Sequence, residues 1–386
     1  MTVRPFTWLA FSFFGYFCAY GVFIPFFPAW LKSQSYGEEM IGLVLASSYL
    51  FRFIGGIFFS VRVKRADQLL SNLRMLAWAG VVIMILISLS AEYFFLLFIA
   101  IGLFGMVNSA GIPLTDTLAT IWQQQIRLDY GKARLIGSIA FVIGVTVFGY
   151  IISLVGEQKI VWMLTALLTL YALLQMCSPQ PRPQDFHQSA VKKSIGFIEL
   201  LKNKTTLRLL IAASLVQGSH AGYYVYSVLY WTEQGIAIKT TSLLWGLAVI
   251  AEILLFFFSK RLFKHRSVAA LFYFSTVAAI IRWGLFSLSN EVWFIAILQI
   301  LHCFTFAMMH YAMIRYIATQ PQNTMAKLQS LYNGFASCAA VALFSVLAGM
   351  IYPSSAPMVF YTMAGAAACA VLIIPRKSKT SLVKRN

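Results

Sequence analysis

The sequence predicts an all-α membrane protein with twelve spanning helices. Three observations carry this: the composition, the length of the uncharged runs, and the placement of the basic residues. Apolar and aromatic residues make up 60% of the 386 and charged residues only 11%, and mean hydropathy is +0.77. A soluble domain carries about a quarter of its residues charged, so this chain could not keep its surface in water. No charge occurs between Arg4 and Lys32, a run longer than the roughly 20 apolar residues that cross hydrocarbon as a helix. Similar runs recur down the chain, too long and too uniformly apolar for barrel strands, which leaves helices to satisfy the backbone in lipid. The first run also exceeds a signal h-region and lacks a small-residue cleavage site, so it reads as a retained span.

The spans follow in order, bounded by charge. The first, at about 7–31, lies between Arg4 and Lys32, and the second, about 40–61, runs from Glu38 and Glu39 to Arg62, Lys64 and Arg65. The third (about 75–91) starts after Arg74, and the fourth (about 94–120) follows Glu92. The fifth, about 135–155, begins after Arg127, Lys132 and Arg134, and the sixth, about 160–178, after Lys159. The seventh, about 207–231, stops before Glu233, and the eighth, about 241–259, ends at Lys260, Arg261, Lys264 and Arg266. The last four are expected at about 268–288, 292–317, 329–351 and 357–375.

The net charge of +18 is a topology signal rather than a mark of nucleic-acid binding. The bases collect in alternate loops and the tail, whereas the opposite face has Lys32, Lys159 and Lys239 among six glutamates. By the positive-inside rule both termini are cytoplasmic. Residues 179–206, Pro-rich at the start and amphipathic later, read as a cytoplasmic linker between six-helix bundles at 1–178 and 207–386. A weak internal repeat agrees: FFSVRVKRA (58–66) and FFSKRLFKH (257–265) lie 199 residues apart, and the same offset sets Asp116 against Arg315. The five cysteines are scattered singly, so neither a disulfide framework nor a metal site is expected. The loops hold no HExxH, GxSxG or paired acids, which argues against an enzyme, and no cofactor is called for.

Ionisable groups within spans cost about 2.5–3.5 kcal/mol each and usually face a cavity. Here they are Arg52, Asp116, Arg134, Glu252, Arg282, His302 and His310, with His220 in the stretch GSHAGYYVYS and Arg315 near a cytoplasmic end. Each has a plain structural alternative. Arg134 and Arg315 can snorkel, Arg52, Asp116 and Glu252 can form structural pairs, and a lone histidine can be a packing residue. The sign of the set is informative, because arginines outnumber acids. An anionic substrate would supply the missing charge and take bidentate bonds from a guanidinium. Aromatics crowd span 1 (Phe13, Tyr16, Phe17, Tyr20) and span 7 (Tyr223, Tyr224, Tyr226). They pack helices or face lipid, or they wall a site for a flat apolar carboxylate.

Several stretches resemble a known family. PFFPAWL (25–31) and DYGKARLIGS (129–138) are similar to segments of lactose permease, a proton symporter of the major facilitator superfamily. PLTDTLATIWQQQIRLDYGKARLIGSIAFVIG (113–144) and LHCFTF (301–306) more closely resemble the phenylpropionate permease branch, and the resemblance covers essentially the whole chain. It implies a major facilitator fold of two six-helix bundles and alternating access. By position it makes Asp116 and Arg134 substrate-binding residues, Glu252 a binding and coupling acid, and Arg282 and His302 members of the proton site. The family's proton-carrying glutamate is replaced by Thr305, and its span-7 acids by His220 and Tyr223. Arg52 has a counterpart in the phenylpropionate branch alone.

The reading is therefore a transporter importing a small aromatic carboxylate by proton symport, with a sugar or nucleoside symporter as the alternative. Arg52, Asp116, Arg134, Tyr16, Tyr20, His220 and Tyr223 are expected to bind substrate, and Glu252, Arg282 and His302 to couple protons. An efflux antiporter is disfavoured by the absence of an acid in span 1, and a receptor by the lack of a signalling domain. The expected partners are an anionic aromatic substrate, the proton and the lipid bilayer, with no nucleic acid. The expected setting is a monomer in a bacterial inner membrane.

Overall fold

The computed structural model describes residues 1–62, 65–184 and 196–376. Lys64, the linker centre at 185–195 and the tail bases after Arg376 lie outside the described residues. The helices are α1 (Pro5–Ser33), α2 (Glu38–Arg62), α3 (Ala66–Leu89), α4 (Phe94–Ile126), α5 (Tyr130–Val155) and α6 (Ile160–Gln175). They continue with α7 (Phe197–Lys202), α8 (Lys204–Gly218), α9 (Ala221–Glu233), α10 (Ile238–Phe263), α11 (Val268–Leu285) and α12 (Val292–Ile300). The last are α13 (Met308–Ala318), α14 (Gln322–Tyr332), α15 (Ala340–Ile351) and α16 (Ala356–Ile373). π-helical turns at Cys303–Ala307 and Asn333–Ala339 join α12 to α13 and α14 to α15. The expected tenth and eleventh spans are thus continuous helices with a widened turn inside.

Among the described residues eleven helices are long and apolar enough to cross a bilayer. The expected seventh span is realised as α8 and α9, broken at Ser219-His220. Side chains there compete with the helical backbone: Ser219 Oγ donates to the Val216 carbonyl at 2.7 Å, and His220 Nδ1 lies 3.0 Å from the same oxygen. The fifth span starts at an N-cap. Asp129 accepts from the Lys132 backbone N–H at 3.1 Å, and that bond foremost holds its carboxyl below the usual carboxylate range.

The helices group into two compact units, Met1–His187 with Val225–Gly246, and Gln188–Tyr224 with Leu247–Asn386. In the first unit α1 packs on α5 and α2 on α4, at glycines that leave no room for a side chain. A Cβ on Gly21 would meet the Phe141 carbonyl at 2.5 Å, and one on Gly144 the Cys18 carbonyl at 2.3 Å. Gly55 and Gly105 make the same close approach between α2 and α4, at 2.3 Å from the Met106 and Ser48 carbonyls. Lipid tails give helices little hydrophobic reason to associate, so such small-residue contacts supply the van der Waals packing. The segment Val225–Gly246 belongs to this unit through contacts of the same kind. Tyr226 donates to the Glu38 carbonyl at 2.7 Å, and Gly149 lies against Ser242. Near the start of α1 the first unit is filled by Trp8, Phe13, Leu73, Leu118 and Trp122, with Trp8 and Trp122 edge to face at 6.0 Å.

Side-chain caps recur between the halves of the sequence. Arg74 on α3 donates to the Gln175 and Cys177 carbonyls at the end of α6, each at 2.9 Å. Tyr273 on α11 donates to the Ile374 carbonyl at the end of α16, at 3.1 Å. The offset of 199 residues that aligns the two FFS segments also relates Arg74 to Tyr273 and Gln175 to Ile374. The weak sequence repeat thus has a structural counterpart. Arg315 caps α10 by donating to the Phe263 carbonyl at 2.9 Å, and Arg208 caps α16 at the Ile373 carbonyl at 2.6 Å.

Candidate functional site

In the first unit, a row of α1 side chains carries two arginines from other helices. Phe13, Tyr16, Phe17 and Tyr20 follow helical spacing, with Tyr16 centred 5.2 Å from Phe17 and 5.6 Å from Tyr20. Arg134, in the first turn and a half of α5, lies over Phe17 at 4.3 Å and near Phe13 at 5.6 Å. Arg52, midway along α2, donates to the Tyr20 hydroxyl and sits 5.4 Å from that ring. Aromatic faces attract cations, more so where water is excluded. Asp116 on α4 accepts from the Tyr130 hydroxyl at 3.0 Å, and Arg134 acts electrostatically on both. Among the described residues Arg134 has no carboxylate within 4.0 Å, so Asp116 reaches it by way of Tyr130. Tyr16 spends its hydroxyl on the Asn108 carbonyl at 3.1 Å. Beside it a small cavity opens toward Gly80, Asn108, Gly111 and Tyr171.

In the second unit, Arg282, His302, Glu252, His220, Tyr223 and Thr305 form one network. Arg282 is fully buried, a costly place for a charge unless its donors are met. It donates to His302 Nδ1 at 2.8 Å, to Gln299 Oε1 at 3.1 Å and to Thr305 Oγ1 at 3.3 Å. The Tyr223 and Trp283 rings lie 4.6 and 4.4 Å from the guanidinium. Among the described residues no carboxylate touches it. Glu252 on α10 stands instead across the imidazole, with Oε2 3.7 Å from His302 Nε2. Tyr223 and His220 are themselves fully buried.

The donors and acceptors fix both histidine tautomers. A guanidinium cannot accept, so His302 Nδ1 is the acceptor and a neutral ring keeps its proton on Nε2, facing Glu252. A carbonyl cannot donate, so His220 Nδ1 carries the proton toward Val216, and its Nε2 accepts from the Thr305 hydroxyl at 3.0 Å. Thr305 thus accepts from Arg282 and donates to His220. His302, which has no acid on its own helix, has Glu252 on α10 and Arg282 on α11 on its two sides.

Sequence reasoning passed over Gln299, Tyr130 and Trp283. Gln299 was visible as the polar residue one turn before His302, and Tyr130 stands inside DYGKARLIGS, between Asp116 and Arg134. Trp283, which donates to Ser219 Oγ at 2.9 Å and so fastens the break between α8 and α9, gave no signal in the sequence, since an indole in an apolar run reads as packing.

Comparison with known proteins bears on the same chain. Residues 6–363 match the MFS_1 like family. A "Probable 3-phenylpropionic acid transporter" of Escherichia coli (strain K12) is 34% identical over 97% of this chain and 99% of its own. An "Uncharacterized transporter YwbF" of Bacillus subtilis (strain 168) is 25% identical over 62% of this chain and 61% of its own. Among solved structures, the nucleoside transporter NupG superposes with a TM-score of 0.82 at 14% identity, covering 97% of this chain and all of that one. An auto-inhibited POT family peptide transporter gives 0.68 at 10% identity, covering 99% and 98%. At these identities the two structures speak for the fold, and the family match for kinship. With its apolar helices and a match along nearly its full length, the chain belongs to the MFS_1 like family of major facilitator transporters.

Proposed function

We propose that the chain imports a small aromatic carboxylate of the 3-phenylpropionate kind across a bacterial inner membrane, as a monomer with cytoplasmic termini. Import runs by alternating access in symport with protons. The observation that carries this reading is Arg134, a guanidinium laid on the aromatic row of α1 with no carboxylate in contact among the described residues. Arg52 stands on the same row. A transported carboxylate supplies the missing anion, and the rings of Tyr16 and Tyr20 suit a flat apolar body. The name of the Escherichia coli relative supports the same substrate class. Asp116, through Tyr130, orients Arg134. His220 and Tyr223, both wholly buried, act from behind by holding Thr305 and Arg282.

Glu252 carries the proton in this scheme. With Arg282 donating into Nδ1, His302 offers Glu252 a donor and has no lone pair open for a second proton. When Glu252 is ionised, its charge balances Arg282 across the imidazole. When it is protonated, that balance is lost and the second unit favours another arrangement, which couples proton to conformation.

Competition binding tests the substrate class. Unlabelled 3-phenylpropionate should displace the labelled acid from the purified protein, and a disaccharide or nucleoside should not. Arg134→Ala should weaken binding roughly ten- to a hundredfold, the range for hydrogen bonds to a charged group. Wild-type affinity in Arg134→Ala, or displacement by the nucleoside, would remove the assignment.

A further inference from the structure

The end of α10 carries a concentration of positive charge that neither the proton network nor the carboxylate assignment uses. Lys260, Arg261, Lys264 and Arg266 fall within seven residues, and all four are exposed. Among the described residues none of them has a carboxylate within 4.0 Å. The sequence offers little to neutralise them. From Ile253 to the C-terminus the one acid is Glu291, beyond the far end of α11. Nor are these bases needed as caps, because Arg315 takes the Phe263 and Lys264 carbonyls that end α10, at 2.9 and 3.4 Å.

The internal repeat sets this cluster apart. At the offset of 199 residues it overlies Val61–Asp67. There Asp67 pairs with Arg65 at 2.7 Å, whereas the matching positions here are Arg266 and Lys264, two like charges. Three bases less one acid give the first copy a formal charge of +2, and four bases give the second +4. Bases at the ends of spans orient any membrane chain. Replacing the acid of the pair with a third kind of demand, an uncompensated base, goes beyond orientation and calls for an anion from outside the chain.

The apolar side of the same helix says where that anion comes from. Ile250, Leu254, Phe257, Phe258 and Leu262 are exposed, and their spacing by three and four puts them on one face of α10. Arg261 continues that face, one turn beyond Phe257 and Phe258. An exposed apolar face on a spanning helix lies against acyl chains, and a base at its end stands at the level of the head groups.

We propose that the end of α10 binds an anionic phospholipid, with its phosphate on Arg261 and Lys264 and its acyl chains along Leu254, Phe257, Phe258 and Leu262. Lys260 and Arg266 strengthen the field at the phosphate. A guanidinium can take a phosphate by two parallel hydrogen bonds. A lipid whose head group carries its own amine brings its own cation and gains less here.

The test measures lipid dissociation constants on the purified full-length protein by native mass spectrometry, with phosphatidylglycerol, phosphatidylethanolamine and free glycerol phosphate as probes. Wild type should retain phosphatidylglycerol at least tenfold more tightly than phosphatidylethanolamine, and glycerol phosphate should not compete. Arg261→Gln should weaken phosphatidylglycerol roughly fivefold, the worth of one base near an anionic surface. Arg266→Asp, which restores the acid of the first copy, changes the charge by two and should weaken it roughly twenty- to thirtyfold. Lys132→Gln removes a base already paired with Asp129 at 3.3 Å and should leave the affinity unchanged. Equal affinity of wild type for the two lipids, or equal weakening by Lys132→Gln and Arg261→Gln, would overturn the proposal. Displacement of the lipid by glycerol phosphate would overturn it too, because the cluster would then hold a free phosphate rather than a lipid.

Discussion

Arg282 is the residue around which the second unit is organised. A fully buried guanidinium that no carboxylate contacts among the described residues must place its charge on neutral acceptors, and His302, Gln299 and Thr305 supply them. The ion pair with Glu252 is therefore indirect, relayed through an imidazole whose tautomer the arginine itself dictates. His302 can then be replaced by any side chain that accepts on one side and donates on the other. His302→Gln should retain proton-driven accumulation within a few-fold of wild type. His302→Ala leaves one buried donor of Arg282 unmet, at a cost of about 1–3 kcal/mol or more, and should lose accumulation and melt at lower temperature. Equal loss in both variants, measured as uptake and as thermal midpoint, would show that the imidazole itself titrates. Much of this set was legible in the sequence, because an ionisable residue in an apolar run announces itself. Thr305 could be seen only as a missing glutamate. Its bonds to Arg282 and His220 join side chains from α11 and from the break after α8, and no spacing along one helix reveals such a meeting.

At the scale of elements, helices in lipid cohere by closeness, and the glycines show where. Gly21 and Gly144 bring α1 and α5 to backbone contact, and α1 carries the aromatic row on which both arginines rest. Gly144→Leu forces the Cβ against the Cys18 carbonyl, 2.3 Å away, and overpacking of this sort costs about 1–3 kcal/mol. It should lower the thermal midpoint in detergent and weaken acid binding together. Gly80 on α3 has open space where a Cβ would stand, so Gly80→Ala should leave the midpoint unchanged or raise it slightly, since alanine favours the helix by about 0.5–1 kcal/mol. Destabilisation by both, or by neither, would contradict the packing described. The spans themselves were readable from hydropathy and charge. The break at Ser219-His220 was not, because GSHAG sits within an apolar run and each residue is tolerated in a membrane helix. What separates α8 from α9 is a pair of side chains bonded to Val216, together with Trp283 and Thr305 holding them from outside. The π-helical turns escaped for the same reason: their apolar content is that of an ordinary helix.

For the whole molecule, the repeat at an offset of 199 proved the most economical signal, since it relates the Arg74 and Tyr273 caps as well as two short sequence segments. Family and fold were both within reach of the sequence, while the division of labour was not. In this account one unit offers arginine on an aromatic row to the carboxylate, and the other holds the single acid that carries the proton. The claim that proton and acid move together is tested most directly in proteoliposomes loaded at neutral pH and diluted into acidic buffer containing labelled 3-phenylpropionate. Wild type should accumulate the acid above its equilibrium level and lose that accumulation when a protonophore is added. Glu252→Gln should fail to accumulate it yet still exchange internal for external acid. Accumulation by wild type that ignores the imposed gradient, or proton-driven accumulation that persists in Glu252→Gln, would contradict the account.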